Sequence, residues 1–168
     1  MIPAELTAIA HRIADLLRDR RETVGVAEGS AGGLVSAALL AVPGASAYYR
    51  GGVVVYTPAA YRTFVAGVVE APPEMRGATE AFAAHLATSV RLRLDATWGV
   101  AEAGAAGPPN PYGDPAGHCW IAVDGPRAAT RRLSTGIDER ETNMVAFARS
   151  TLETFLDVLV DGGPDTNG

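Results

Sequence analysis

The stretch "VGVAEGSAGGLVSAALL", residues 24–40, constrains the fold more than any other. "TVGVA" (23–27) is an apolar run without alternation, the signature of a strand covered on both faces. Gly29, Ser30, Gly32 and Gly33 then make a turn, and "GLVSAALLAV" (33–42) reads as a small, very apolar helix. "VPG" (42–44) stops that helix, since proline and glycine punctuate regular structure. A doubly covered strand running through a glycine turn into a helix is a building unit of α/β proteins.

The flanking segments repeat the alternation. Leu6, Ile9, Ile13, Leu16 and Leu17 recur at helical spacing, so residues 4–20 read as an amphipathic helix. "YYRGGVVVY" (48–56) has the aromatic and β-branched composition of a strand. Pro58 suits the first turn of a short helix over 59–66. "VVEAPPEMRGA" (68–78) reads as a loop. A helix over Thr79–Leu94 follows, with Phe82, Leu86, Val90 and Leu94 on one stripe, and "ATWGVAEA" (96–103) reads as another buried strand. "GAAGPPNPYGDPAG" (104–117) has four glycines and four prolines and cannot be regular. Loops of that length inside a compact domain are usually functional or disordered. "HCWIAVDG" (118–125) and "RAATRRLST" (127–135) predict a hairpin. Asp138 with Glu141 resembles a capping box opening a last helix, with Met144, Ala148, Leu152, Phe155 and Leu159 on one face. The order α-β-α-β-α-α-β-β-β-α predicts an α/β fold, a three-layer α/β/α sandwich with a mixed, mostly parallel sheet. No internal repeat or linker divides it. One domain is expected over 1–162, with a disordered tail at 163–168.

Composition excludes several chemistries. All 14 basic residues are arginine, so a Schiff-base lysine, a Walker A lysine and a serine–lysine dyad are ruled out. A net charge of −5 argues against nucleic acid as the partner, although Arg127, Arg131 and Arg132 could make a local basic patch. The single cysteine, Cys119, cannot form an intrachain disulfide and fits a reducing compartment. The N-terminal segment lacks the features of a secretory signal, and no apolar run is long enough to span a membrane. A soluble, cytoplasmic protein is expected.

In an α/β sheet, ligands bind beyond the carboxyl ends of the strands. If the first three strands are parallel neighbours, three exits share one rim: Glu28–Gly33, Tyr56–Thr57 and Gly104–Gly117. The first offers backbone N–H groups at a helix start, suited to a phosphate. It could equally be a packing turn in which Ser30 is only an N-cap. Ser30 is the candidate nucleophile of a hydrolase. Among the bases, His11 and His85 read as partly exposed helix residues. His118 could reach the rim or point to solvent. Glu28 and Glu102 could hold a metal or bond nearby backbone amides. His118 and Cys119 face opposite ways along a strand and cannot easily meet. No metal set has ligand spacing, and a weaker reading with Glu28, Glu102, Asp114 and His118 around a metal rests on type alone.

"TVGVAEGSAGGLVSAALLAVPGASAYYRGGVVVY", "RGATEAFA" and "AGAAGP…PAG" together resemble the CinA C-terminal domain family, a competence/damage-inducible family that includes the PncC-like nicotinamide-nucleotide amidohydrolases. The likeness covers about residues 5–160. It implies a three-layer α/β/α fold and, for active members, hydrolysis of nicotinamide mononucleotide to nicotinate mononucleotide and ammonia in pyridine-nucleotide salvage. Members typically read A-E-S-C-T-G-G at the first turn. Here Glu28, Gly32 and Gly33 match, the family's serine falls on Gly29, its cysteine on Ser30 and its threonine on Ala31. After the second strand the pattern V-x-Y-S-N-x-A-K keeps its tyrosine as Tyr56. Thr57 takes the serine position, and the lysine has become Tyr61. In the third loop, [ST]-G-I-A-G-P becomes Ala103, Gly104, Ala105, Ala106, Gly107, Pro108.

The resemblance therefore keeps the glycine scaffold and replaces the reactive side chains. It implies a catalytically degenerate protein that binds a nucleotide or phosphate, or regulates, with Glu28, Gly29, Ala31, Gly32, Gly33, Thr57, Gly104, Ala106, Gly107 and Pro108 as binding positions. The alternative is an active amidohydrolase with a rewired site, where Ser30 attacks with help from Tyr56, Tyr61 or a carboxylate. Tyr61 is bulky, and Glu102 adds negative charge near the rim. Both could exclude a phosphate. No cofactor, no nucleic acid and no membrane partner are expected, and a homo-oligomer is left open. A full CinA protein has another domain before this one, so a stand-alone form is expected.

Overall fold

The computed structural model describes residues 1–73 and 76–161. The tail at 163–168 and part of the 68–78 loop lie outside the described residues. The elements are α1 (Ala4–Arg20), β1 (Val24–Glu28), α2 (Leu34–Leu40), β2 (Tyr49–Val54), α3 (Pro58–Phe64), α4 (Glu80–Arg93), β3 (Trp98–Ala105), β4 (His118–Asp124), β5 (Ala129–Ser134) and α5 (Arg140–Val160). A 3-10 turn at Ala45–Ala47 links α2 to β2. The sequence pattern therefore locates every element, with ends shifted by no more than two residues.

The sheet runs β2-β1-β3-β4-β5. β1 is parallel to both β2 and β3, while β3–β4 and β4–β5 are antiparallel. Four strands thus point one way, and β4 alone is reversed. Because β1, β2 and β3 are parallel neighbours, their three exits share one rim, as the sequence reading required.

Side-chain alternation divides the core into two layers. Val24, Val26, Trp98, Val100, Cys119, Ile121 and Val123 face α1, α2 and α5, where Leu6, Ile13, Phe147 and Phe155 complete the larger cluster. The other face is built from small residues, Ala27, Ala101, Ala103 and Ala122, under Leu86, Ala87 and Val90 of α4. Their size brings α4 close to the sheet. A Cβ added at Gly99 would lie 2.0 Å from the Ala87 carbonyl oxygen, so glycine is required there for helix and strand to meet.

α5 begins one residue later than the capping-box reading implied. Glu139 is the N-cap, no side-chain cap bond forms, and Asp138 lies outside the helix. The Glu139 carboxylate instead accepts from the Thr142 hydroxyl. The expected basic patch is also reduced. Arg131 pairs with Asp157 at 2.7 Å, and Arg127 donates to the Val158 carbonyl.

Candidate functional site

The glycine turn after β1 closes on two buried carboxylates. Glu28 and Glu102 are register partners at the ends of β1 and β3, 1% and 0% exposed. Glu28 Oε2 accepts from the amides of Gly33 (2.9 Å) and Val35 (3.0 Å). Its Oε1 accepts from the Ser36 amide (2.9 Å) and hydroxyl (2.6 Å). Glu28 is therefore the cap of α2, reaching it from the strand before the turn. The helix's own N-cap residue, Gly33, has φ 100° and no side chain to offer. Glu102 Oε2 accepts from Gly29 N (3.2 Å) and Ala31 N (2.8 Å). Gly32 N donates to the Gly29 carbonyl and Leu34 N to that of Ala31.

This arrangement corrects two expectations. Ser30 is not the N-cap of α2, since its hydroxyl donates to the Gly104 carbonyl across the rim at 2.5 Å. The turn amides that would have cradled a phosphate are satisfied inside the protein. The carboxylates took the amide-bonding option that the sequence left open. Glu102 is not a rim charge, because it lies fully beneath the turn. Burial pushes its carboxyl up to about 7, the Ala31 amide opposes that shift, and the neighbouring Glu28 charge adds to it. Its second oxygen, Oε1, is buried without a hydrogen-bond partner among the described residues.

A cavity of about 390 Å³ opens beside the turn, on the α3/α4 side of the sheet. Gly29, Ser30, Ala103 and Gly104 form its floor. Its walls are largely aromatic, with Tyr56, Tyr61, Phe82 and Tyr112 joined by Val55 and Pro58, and Arg62 is the charged residue in the lining. The volume and the apolar walls with few polar groups are those of small-molecule sites. α3 sets Tyr61 in the wall because Thr57 caps that helix, accepting from the Ala60 amide at 3.2 Å, with Pro58 at its first position.

Behind Tyr61 stands a residue the sequence reading misplaced. His85, expected to be partly exposed, is 7% exposed, and its Nε2 lies 2.9 Å from the Tyr61 hydroxyl. Burial holds the imidazole below its usual range, against a backbone hydrogen bond with Glu70 that favours its charged form. His118 is buried as well, with Nε2 3.0 Å from the Ala78 carbonyl, so it reaches neither solvent nor Ser30. His11 is exposed on α1, as expected.

The rim is strapped by residues that carried no motif. Asn143 on α5 is fully buried and donates to the Ala106 and Ile137 carbonyls, each at 2.8 Å. Arg140 donates to the Gly107 carbonyl and, at 2.7 Å, to the Tyr56 hydroxyl. In the third loop, Asn110 Oδ1 accepts from the amides of Tyr112 and Asp114 (each 3.0 Å), and Asp114 pairs with Arg76 at 2.7 Å. The Arg76 guanidinium also sits 5.5 Å from the centre of the Tyr112 ring.

Of the sequence-derived positions, Gly29, Ser30, Tyr56, Thr57, Tyr61 and Gly104 meet at this cavity. Glu28, Ala31, Gly32, Gly33, Ala106, Gly107 and Pro108 do not line it. Among the described residues no three His, Cys, Asp or Glu side chains gather to hold a metal. Glu28, Glu102, Asp114 and His118 each have the separate partners given above. Among those residues no helix is long and apolar enough to cross a membrane.

A three-layer α/β/α sandwich with an aromatic-walled cavity at the carboxyl ends of parallel strands defines the class: an α/β domain with a cavity at its rim. Within it the chain belongs to the CinA C-terminal domain family, whose model matches residues 6–159. A CinA-like protein of Salinibacter ruber is 38% identical over 143 residues, 84% of this chain and 34% of that protein. One from Frankia casuarinae is 40% identical over 121 residues, 71% of this chain and 28% of its own. The chain thus spans about a third of the length of such curated relatives. The crystal structure of competence/damage inducible protein CihA from Agrobacterium tumefaciens superposes with a TM-score of 0.84 at 27% identity, covering 94% of this chain and 98% of that one. A CinA superfamily protein from Escherichia coli gives 0.83 at 25% identity, covering 91% and 90%.

Proposed function

We propose that this protein binds a nucleotide carrying a planar heteroaromatic ring, and that it is catalytically degenerate toward hydrolysis of that ligand. The observation that carries this reading is the contrast within one site. The cavity is open and walled by aromatic rings, while the Ser30 hydroxyl beneath it is spent on the Gly104 carbonyl. A serine nucleophile needs a base within hydrogen-bonding reach of its oxygen, and a set of amides aimed at the developing oxyanion. Ser30 donates to a carbonyl, which cannot take its proton. The amides of Gly29 and Ala31 are engaged by Glu102. With lysine absent from the chain, binding and positioning remain. In this reading the ring stacks among Tyr56, Tyr61, Phe82 and Tyr112, and the phosphate meets Arg62 rather than the glycine turn.

The test is nicotinamide mononucleotide at high concentration, read for thermal shift and for ammonia. A raised Tm with no ammonia above the protein-free blank is expected. Ammonia above the blank favours the second reading, an active amidohydrolase rewired around Ser30. That reading draws on the Tyr61–His85 contact, which brings an imidazole up to the cavity wall.

A further inference from the structure

The sheet has two edges, β2 and β5, and they are protected unequally. A free edge strand offers unpaired backbone groups to any other strand, and proteins blunt such edges with charge, proline, bulges or cover. β5 carries Arg131 and Arg132 side by side at its middle. A two-fold axis near the middle of that strand would set arginine against arginine. β2 has its one charge, Arg50, at its start, and its one irregularity, the register shift opposite Val24 and Gly25, lies there too. From Gly51 to Tyr56 the edge reads "GGVVVY", with no charge and no proline.

The backbone of that stretch faces outward in a defined pattern. The Val55 amide donates to the Glu28 carbonyl at 2.7 Å, so Val53 and Val55 turn their backbone groups toward β1. Gly52 and Val54 therefore turn theirs away from the sheet. Gly52 is exposed, although a Cβ on it would run into the Tyr49 and Ser36 hydroxyls. Its face is covered from within the protein, so its exposure is along the edge. Val54, two residues on, is 41% exposed.

We propose that the free edge of β2 is the seam of a symmetric dimer, in which β2 of two copies pair antiparallel about a two-fold axis at Val53 and join the two sheets into one. The occupant is a second copy because the edge complements itself. Gly52 and Val54 lie equally far on either side of Val53, so each meets the other across the axis. Each such pair exchanges both of its N–H···O bonds. Arg50 falls opposite Tyr56 of the second copy, so no cation meets a cation, in contrast to β5. β2 leads straight into Val55, Tyr56 and Thr57 of the cavity wall, so the seam also steadies one wall of each cavity.

The test is sedimentation velocity from low to high micromolar protein on the wild type and Val54→Lys, with cross-linking of Val53→Cys. The wild type is expected to approach twice the chain mass as concentration rises. Val54→Lys sets two ammonium groups close together on one face of the seam and should weaken the dimer at least about thirtyfold in Kd. Its Tm should stay close to the wild-type value, since the side chain is 41% exposed. On the axis, the two copies of Val53 form a non-hydrogen-bonded pair with Cα atoms about 4.5 Å apart, within the span of a disulfide. Val53→Cys should therefore yield a disulfide-linked dimer with copper phenanthroline in air. The wild type, whose one cysteine is the buried Cys119, should yield none. Adding Val54→Lys to Val53→Cys should abolish the cross-link. A chain that stays monomeric at high micromolar concentration overturns the inference. So does a dimer that Val54→Lys leaves intact, or one in which Val53→Cys does not cross-link. These readouts need no ligand, so the nucleotide reading is untouched by either result.

Discussion

Two regions meet at the rim of the sheet and treat their polar groups in opposite ways. On the α2/α5 side, the turn after β1 is closed: Glu28 caps α2 with four hydrogen bonds, Glu102 holds Gly29 and Ala31, and Ser30 is tied to β3. On the α3/α4 side, aromatic rings surround open space, and a single buried imidazole stands behind the one hydroxyl it orients. A glycine turn has the form of an anion site only while its amides are free. Once the protein supplies its own carboxylates, the same turn becomes part of the core. Changes on the closed side should therefore move stability, and changes on the open side should move ligand binding.

The largest effect is expected at Glu28. Glu28→Ala strands two α2 amides, the Gly33 amide and the Ser36 hydroxyl, and should cost roughly 3–5 kcal/mol in chemical denaturation. Glu28→Gln keeps one acceptor oxygen and should cost less. A loss below about 1 kcal/mol for the alanine variant would break the comparison by showing that water reaches the turn.

Glu102 comes next, and its signature is pH dependence. Its folded-state pKa of about 7 lies above the ordinary carboxyl value of 4.5. The native protein therefore holds this proton over a window in which the unfolded chain has released it. The contribution is fully present below pH 4.5, is lost as pH rises to about 7, and is flat beyond that. The slope is worth about 3 kcal/mol over the window. Glu102→Gln, which cannot ionise, should flatten that part of the curve in Tm measured against pH. An unchanged slope would place the titration elsewhere.

Ser30→Ala removes one hydrogen bond to Gly104 and should cost about 1 kcal/mol. Ligand affinity should stay within about twofold, a small change in free energy. A larger loss of affinity would mean that the Ser30 hydroxyl bonds the ligand from the cavity floor. The smallest stability effect is expected for Arg140→Ala, below about 1 kcal/mol, because it loses one bond to the Gly107 carbonyl and one to Tyr56, which is 59% exposed. Freed from Arg140, Tyr56 should hold the ligand less firmly. Fluorescence or calorimetric titration would register a weaker Kd with Tm almost unchanged.

Much of this architecture was legible before any coordinates. The uninterrupted apolar runs at 23–27 and 96–103 marked strands covered on both sides, and the sheet order then brought three exits to one rim, with Ser30, Tyr56, Tyr61 and Gly104 around one cavity. His85 was not legible. On a helix whose apolar stripe runs through Phe82, Leu86 and Val90, it sits one position off the stripe, and nothing local reveals that α3 covers it. Asn143 and Arg140 carried no motif, because their partners are backbone carbonyls of a distant loop. The capping-box reading at Asp138 failed for a related reason. The interaction available to Asp138 and Glu141 is local and weak, and the start of α5 is decided by its docking against Ala106 and Gly107.

What the sequence by itself determined is the set of elements and their order, since periodicity, proline and glycine act over a few residues. It also determined the chemistry that is absent, because a chain without lysine cannot use one anywhere. The tertiary structure alone decided where each polar group's partner lies. Glu28 and Glu102 could bind a ligand or the protein's own amides, and the choice depended on β1 and β3 pairing in register beneath the turn. The Tyr61 hydroxyl could meet solvent or a protein partner, and the choice depended on a histidine 24 residues away in the chain. A side chain's type lists the hydrogen bonds it can make. Only the packing of distant segments, by removing water and offering one partner, selects which of them it makes.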